Sequence, residues 1–196
     1  MKTKAQKLRV HFVEPELLHP YNPVRVNLIG TGGTGSQVLT ALARINHSLI
    51  ALRHPGLMIT TFDDDTVTAA NLGRQLFTTD EIGLHKSAVL INRINRFFGT
   101  NWKSVPEKFN RRTIEANPDY VMAGLTISCV DSVSARFEIG TILTKHNKQQ
   151  HYRNRPLYWM DFGNNRNTGQ VILSTVGAIK QAASKKFRTV DRLPFV

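Results

Sequence analysis

The stretch VNLIGTGGTGSQ, residues 26–37, runs from a β-branched apolar segment through four glycines into a pattern of helical spacing. Glycine permits a tight turn and close backbone approach, and the free amides at the start of a helix carry partial positive charge, so a strand, glycine-rich turn and helix in this order are built to hold a phosphate. Gly30, Gly32 and Gly35 match G-x-G-x-x-G, and Gly33 adds a fourth position without a side chain. The pattern alone serves nicotinamide, flavin and ATP-using proteins alike, so it fixes the phosphate before it fixes the chemistry.

Working outward, Val24 to Ile29 reads as the strand, and Ser36 to Leu52 as the helix, with Val38, Leu39, Leu42, Ile45, Leu49 and Leu52 inward. After His54-Pro55-Gly56, a second strand spans Leu57 to Phe62 and stops in Asp63-Asp64-Asp65. A loop leads to Thr79, a candidate cap, and Lys86 to Phe98 forms a second crossover helix through Val89, Leu90, Ile94 and Phe97. Lys103 to Phe109 reads as a weak third strand and Arg112 to Ala116 as a short helix ended by Asn117-Pro118. Tyr120 to Val130 is the strong later strand, nearly continuous in apolar residues as in a parallel sheet covered on both faces. Ser132 caps a helix to His146 with Phe137, Ile139, Ile142 and Leu143 inward. Leu157 to Phe162 and Gln170 to Thr175, joined by GNNRNTG, form a hairpin. This order predicts an α/β, doubly wound, Rossmann-like, mainly parallel sheet with helices on both faces and an antiparallel edge hairpin. Residues 24–180 make the nucleotide-binding domain, 1–23 an N-terminal extension and 181–196 a basic C-terminal segment.

The chain has 196 residues, 41% of them apolar, enough for one ordinary core. Its single cysteine, Cys129, excludes a disulfide framework and a zinc site of paired thiolates, and predicts a reducing, cytoplasmic setting. The start, MKTKAQKLRVHF, lacks a signal peptide's apolar core, and no segment has the roughly 20 apolar residues of a membrane span. The net charge of +12 (26 Lys+Arg, 14 Asp+Glu) suits phosphates or an acidic partner. The cations gather at Lys2, Lys4, Lys7 and Arg9, at Lys145, Lys148, Arg153 and Arg155, and from Lys180 to Arg192. A solvated face, mobile tails and nucleic-acid binding all fit this distribution, which lacks an interleaved aromatic stripe.

What narrows the nucleotide is DDDTVTAANLGRQLF, residues 63–77. Asn71, Arg74 and Gln75 follow the acidic cluster at a spacing no simple dehydrogenase needs. The run Gly30 to Ser36, then Asp63-x-Asp65-x-Val67, Asn71-Leu72-x-Arg74-Gln75, Ile82-Gly83-x-x-Lys86 and Cys129-x-Asp131-x-x-x-x-Arg136, resembles the ThiF/MoeB/ubiquitin-activating enzyme superfamily. Within it, LYWMDFGNNRNTGQV looks most like the ThiF-related members of the plasmid-associated PRTRC cassette.

The resemblance implies that MgATP and the C-terminal carboxylate of a small ubiquitin-like or sulfur-carrier protein give an acyl-adenylate and pyrophosphate, on a homodimer. It implies Gly30, Gly32, Gly33 and Gly35 for the nucleotide, Asp63 for the ribose, Asp65 and Gln75 for the loop, Arg74 and Lys86 for the phosphates, and Asn71 for a phosphate or the metal's water shell. Asp131 is the implied Mg²⁺ residue, a hard carboxylate at a strand end. Arg136 orders the strand–helix junction. Attack of one anion on another requires this neutralisation of charge.

Three departures matter. The R-Y-x-R-Q-like stretch whose arginine reaches a partner's ATP has no match before Val24, although Arg9 and Arg25 stand nearby. Cys129 sits inside a strand as a core thiol, so adenylation without an internal thioester is expected, and no structural zinc. The ending DRLPFV is abrupt for the family and reads as a shortened chain. Two other readings stay open: a catalytically reduced nucleotide-binding or interaction protein, and a nicotinamide- or flavin-dependent oxidoreductase.

Overall fold

The computed structural model describes residues 7–148 and 155–193, so Lys2, Lys4 and Arg153 lie outside the described residues. Strand β1 (Arg9–Val10) and the one-turn helix α1 (Pro15–Leu18) precede the central unit of β2 (Val24–Ile29), α2 (Gly33–Ala51) and β3 (Leu57–Phe62). Then follow α3 (Lys86–Phe98), β4 (Lys103–Val105), α4 (Arg111–Ala116), β5 (Leu125–Ser128), α5 (Val133–Asn147), β6 (Tyr158–Asn164), β7 (Gly169–Thr175) and β8 (Arg188–Thr189).

Six strands form one sheet in the order β4-β3-β2-β5-β6-β7. All neighbours are parallel except β6 and β7, which make the expected antiparallel hairpin. Val26, Leu28, Ile59 and Ile127 pack with Leu39, Leu42, Leu90 and Ile94 on one face. Ile29, Phe62 and Val105 pack with Ile139, Ile142 and Leu143 on the other. Burial of both faces explains why these strands read as continuous apolar runs. The chain moves outward from β2 through β3 to β4, then crosses back to β5. This reversal opens a crevice at the carboxyl ends of β2 and β5, where doubly wound sheets put their ligands. Among the described residues, no helix is long and apolar enough to cross a membrane.

Several local expectations are corrected. The run from Tyr120 to Val130 is a strand only over Leu125–Ser128. Its first part is a 3₁₀ turn, Pro118–Val121, in which the Tyr120 amide donates to Asn117 O and the Met122 amide to Asp119 O. Val121 and Met122 are buried all the same, so the apolar run reports burial rather than extension. The third strand stops at Val105 because Pro106 has no N–H for the ladder, and Phe109 instead packs edge-to-face on Phe62 at 5.1 Å. Helix α2 begins at Gly33, so the glycine turn is itself the first helical turn. Ile45, Leu52, Phe97 and Phe137 face solvent. On α2 the buried stripe is Leu39, Leu42, Ala43 and Asn46, the last accepting from the Leu57 amide at 2.7 Å. The cap before the Asp80-Glu81 turn is Thr78, which forms a capping box with Glu81, and not Thr79.

Two segments near the ends of the chain also meet. β1 and β8 form a separate two-stranded parallel ribbon, with Arg9 opposite Arg188 and Val10 opposite Thr189.

Candidate functional site

The glycines divide into two kinds. Gly30 has φ +85°, and a Cβ there would stand 2.9 Å from Cys129 O. A Cβ on Gly35 would run into the Gly30 carbonyl. These two let the turn close against β5 and let α2 dock on it, and Gly35 accordingly does not line the crevice. At Gly32 and Gly33 a Cβ would make only ordinary van der Waals contact, with the Gln75 side chain at 3.9 Å and Arg74 O at 3.7 Å. They leave the amides at the positive end of α2 open to an anion.

Asp63, at the end of β3, braces that turn. Its Oδ2 accepts from the Thr31 amide at 2.6 Å and the Thr31 hydroxyl at 2.8 Å, and its Oδ1 from the Asp65 amide at 2.9 Å. Thr31, fully buried, was not singled out by the sequence pattern; its position inside G-x-G next to an acidic strand end was the available signal.

Lys86 is the first residue of α3, where the helix dipole disfavours a cation, and its side chain is only 7% exposed. Asp65 holds it there, with Nζ donating to Oδ2 at 2.7 Å and the Lys86 amide to Asp65 O at 3.0 Å. A buried ammonium set against a helix dipole is a costly arrangement, which a phosphate ligand would exploit.

Asn71 is buried at the end of the 3₁₀ turn Ala69–Asn71, and its Oδ1 accepts from both the amide and the hydroxyl of Thr68. That fixes its orientation. Arg74 donates through Nε to Ala70 O at 3.1 Å, and with the Gln75 amide swapped so that its oxygen faces the guanidinium, that oxygen would accept from it at 3.1 and 3.3 Å. Asp131 is exposed just past β5, one residue before Ser132, whose Oγ caps α5 by accepting from the Ala135 amide.

One crevice of about 910 Å³ is lined by Gly30, Gly32, Gly33, Asp63, Asp65, Asn71, Arg74, Gln75, Lys86 and Asp131. Of the predicted site residues only Gly35 stands behind it rather than in it. Lys108, paired with Asp64 at 3.6 Å, also lines the wall and carried no recognisable sequence signal. Among the described residues, the three carboxylates close enough to share a cation are Asp63, Asp64 and Asp65, with oxygens within 4.8 Å; Asp131 is not in that group.

Behind the crevice, Arg136 fastens the junction of β5 and α5. It donates to Asp161 Oδ2 at 2.9 Å and also to Val130 O and Phe162 O, while Ser128 Oγ donates to Asp161 Oδ1 and accepts from Trp159 Nε1. Asp161 was not predicted; its acidity within an otherwise apolar strand was the clue. Cys129 reaches the crevice wall, but burial first, and the nearby Asp161 carboxylate second, push its thiol up to about 12. A protonated thiol is a poor nucleophile.

The ThiF family model matches residues 5–183. The ubiquitin-like modifier-activating enzyme 5 of Aedes aegypti is 30% identical over 128 residues, which is 59% of this chain and 30% of that protein. The protein of the same name from Culex quinquefasciatus is 28% identical over 138 residues, 63% of this chain and 32% of that one. The chain thus spans about a third of the length of these curated relatives. Among solved structures, the E. coli tRNA N6-threonylcarbamoyladenosine dehydratase TcdA, in complex with AMP, has a TM-score of 0.51 at 23% identity, covering 70% of this chain and 50% of that one. That likeness shows the shared fold.

Proposed function

The chain belongs to the ThiF family, and from that premise we propose that it is an adenylyltransferase that uses MgATP to activate the C-terminal carboxylate of a small ubiquitin-like or sulfur-carrier protein. The name of the insect relatives, modifier-activating enzymes, supports this direction. The observation that carries the reading is the crevice itself: Gly32 and Gly33, at the N-terminus of α2, line the same space as Arg74, Lys86 and Asp131.

In the proposed reaction a carboxylate oxygen of the carrier attacks the α-phosphorus of ATP. The carboxyl–phosphorus bond forms, the α–β phosphoanhydride bond breaks, and pyrophosphate leaves with the electron pair. The turn amides receive phosphate oxygens. Arg74 offers a planar fork to them, and Gln75 keeps that guanidinium aligned. Lys86 supplies a compact charge as it accumulates on pyrophosphate, turning from Asp65 toward the leaving group. The Nδ2 of Asn71 donates into the crevice, and Asp63 accepts from the ribose with a lone pair that Thr31 leaves over. The oxygen donors of the crevice suit magnesium, which when bound would neutralise phosphate charge; Asp131 is the residue proposed to hold it, in the crevice that Asp63, Asp64 and Asp65 also line. Within this chain the reaction stops at the adenylate, since the Cys129 thiol stays protonated.

The test is ATP–pyrophosphate exchange with candidate carriers, first any small protein ending in Gly-Gly that is encoded beside this chain's gene. Exchange should depend on the carrier and fall by roughly 10²-fold or more in Arg74→Ala and Asp131→Ala. Tighter binding of NAD(P) than of MgATP would overturn the assignment. Tight MgATP binding with no exchange for any neighbouring carrier would favour a catalytically reduced, nucleotide-binding role. One placement favours that second reading: Arg25 is engaged with Asp119 O, and Arg9 lies on the β1–β8 ribbon.

A further inference from the structure

The basic segments 7–13 and 179–193, near the two ends of the chain, are built into one surface. The Arg188 amide donates to Leu8 O and the Val190 amide to Val10 O, so residues some 180 apart in sequence make one parallel ribbon. Three further contacts clamp it to the body. His11 bonds Val190 O at 3.1 Å and the buried Tyr158 hydroxyl at 2.9 Å. Gln181 exchanges hydrogen bonds with both backbone groups of Phe12, and the Ile179 amide donates to Asp191 O.

This ribbon presents like charges to each other. Arg9 and Arg188 are directly opposed in register and both exposed, an arrangement that costs stability in a two-stranded ladder. Lys7 and Lys186 each stand two residues before one of these arginines, and Lys7 Nζ donates to Lys185 O, which brings a further exposed lysine alongside. The only carboxylate side chain in 7–13 and 179–193 is Asp191. Among the described residues, the ion pairs of the chain are Lys86–Asp65, Arg93–Glu81, Lys108–Asp64 and Arg136–Asp161, none of them on the ribbon. The sequence outside the described residues, MKTKAQ, QQHYRN and PFV, contains no Asp or Glu to complete a pair. A chain that spends backbone pairing to oppose two arginines, and pairs neither of them with a carboxylate among the described residues, gains most from an external polyanion with closely spaced charges.

We propose that the β1–β8 ribbon, through Arg9, Arg188 and the lysines beside them, is a binding surface for the phosphate backbone of a single-stranded nucleic acid. Lys7, Arg9, Lys185, Lys186 and Arg188 gather five cations around this short ribbon, a compact cluster that a flexible chain of closely spaced phosphates can follow and that the scattered carboxylates of a protein surface match less well. The contact is to backbone and so carries little base preference. It is independent of the adenylation reading, because no ribbon residue lines the crevice.

The experiment is fluorescence anisotropy of labelled 20-nucleotide single strands of several sequences, titrated with the full chain across a salt series. Wild type should bind with a linear fall of log K against log salt, and with similar affinity for each sequence. Arg9→Glu/Arg188→Glu should weaken binding at least 30-fold at 0.1 M salt and reduce the slope by about 1.4, since each phosphate contact on a single strand contributes about 0.7. Arg44→Glu/Arg96→Glu, which makes the same change in net charge on exposed helix positions, should lose less than 3-fold. Circular dichroism melts of both variants confirm that each is folded when tested. Equal losses in the two variants would reduce the effect to bulk charge and overturn the proposal. So would an unchanged ribbon variant. Competition by polyglutamate, or by vesicles containing phosphatidylserine, as effective per charge as the oligonucleotide would reassign the surface to an acidic protein or a membrane and equally overturn it.

Discussion

At the scale of single residues, the pair Lys86 and Asp65 separates a site's stability from its chemistry. Lys86 is buried while the Asp65 side chain is 65% exposed, so the two truncations are not equivalent. Lys86→Ala leaves a carboxylate that water can solvate, and folding stability should change little. Asp65→Ala leaves an ammonium in a buried position against a helix dipole, at a cost on the order of 2 kcal/mol. Denaturant melts of both variants should show that order, and the reverse order would mean that the ion pair is not what holds Lys86. Catalysis should rank them oppositely. Lys86→Ala is expected to lower adenylation by roughly 10²-fold while changing ATP affinity only a few-fold, because the cation matters most as charge develops on the leaving group. Equal losses in affinity and turnover would remove Lys86 from that role. The sequence displayed these residues as a spaced motif, but not their pairing. That Asp65 waits on Lys86, and that Asp63 is largely occupied by Thr31, are products of three dimensions.

At the scale of elements, the glycine turn shows how one motif contains two kinds of constraint. Gly35 is excluded from carrying a side chain by the Gly30 carbonyl beneath it, whereas a Cβ on Gly32 would meet only the end of the Gln75 side chain at 3.9 Å. Gly35→Ala must therefore push α2 off the sheet or shift the turn, and should cost several kcal/mol of stability, as overpacking against backbone does. Gly32→Ala should keep a melting temperature within a few degrees of wild type yet weaken nucleotide binding by tenfold or more, since its methyl group enters the space meant for phosphate. Thermal melts together with MgATP titration check both, and a Gly32→Ala chain with unaltered nucleotide affinity would count against that crevice as the binding site. The strand–turn–helix unit was legible because β2 and β3 are short, β-branched, largely apolar runs bounded by Gly30 and by Asp63–Asp65, and α2 and α3 repeat apolar residues at helical spacing. The run from Tyr120 was not, because a 3₁₀ turn entering the core carries the same apolar composition as a strand. Phe97 and Phe137 misled for a related reason: helical spacing finds a stripe, but which flank of the stripe meets the sheet depends on docking angle.

At the scale of the whole molecule, alternation of strand and helix made the doubly wound sheet and its crevice legible, whereas the joining of the chain's two ends was not. No local pattern announces a two-residue strand, and register between Arg9 and Arg188 is settled by contacts far away in sequence. The keystone of that joining is Tyr158, a buried residue of β6 whose hydroxyl accepts from the Glu14 amide at 3.1 Å and bonds His11 at 2.9 Å. Burial raises the phenol's pKa, opposed by the Glu14 amide bond, so the hydroxyl stays protonated above its ordinary range and can serve both partners. Tyr158→Phe keeps the ring in the core and deletes only this link, at about 1–2 kcal/mol for the groups left without a partner. If the ribbon is a locally stable unit clamped to the sheet, hydrogen exchange should accelerate selectively at the amides of Arg188 and Val190, while those of Leu28 and Ile59 in the central strands keep their protection. Uniform acceleration throughout the sheet would instead make the ribbon an integral part of the core's cooperative unit. In the selective case, oligonucleotide affinity should fall with ribbon order in Tyr158→Phe while MgATP affinity holds, because the crevice and the ribbon draw on different elements of one fold.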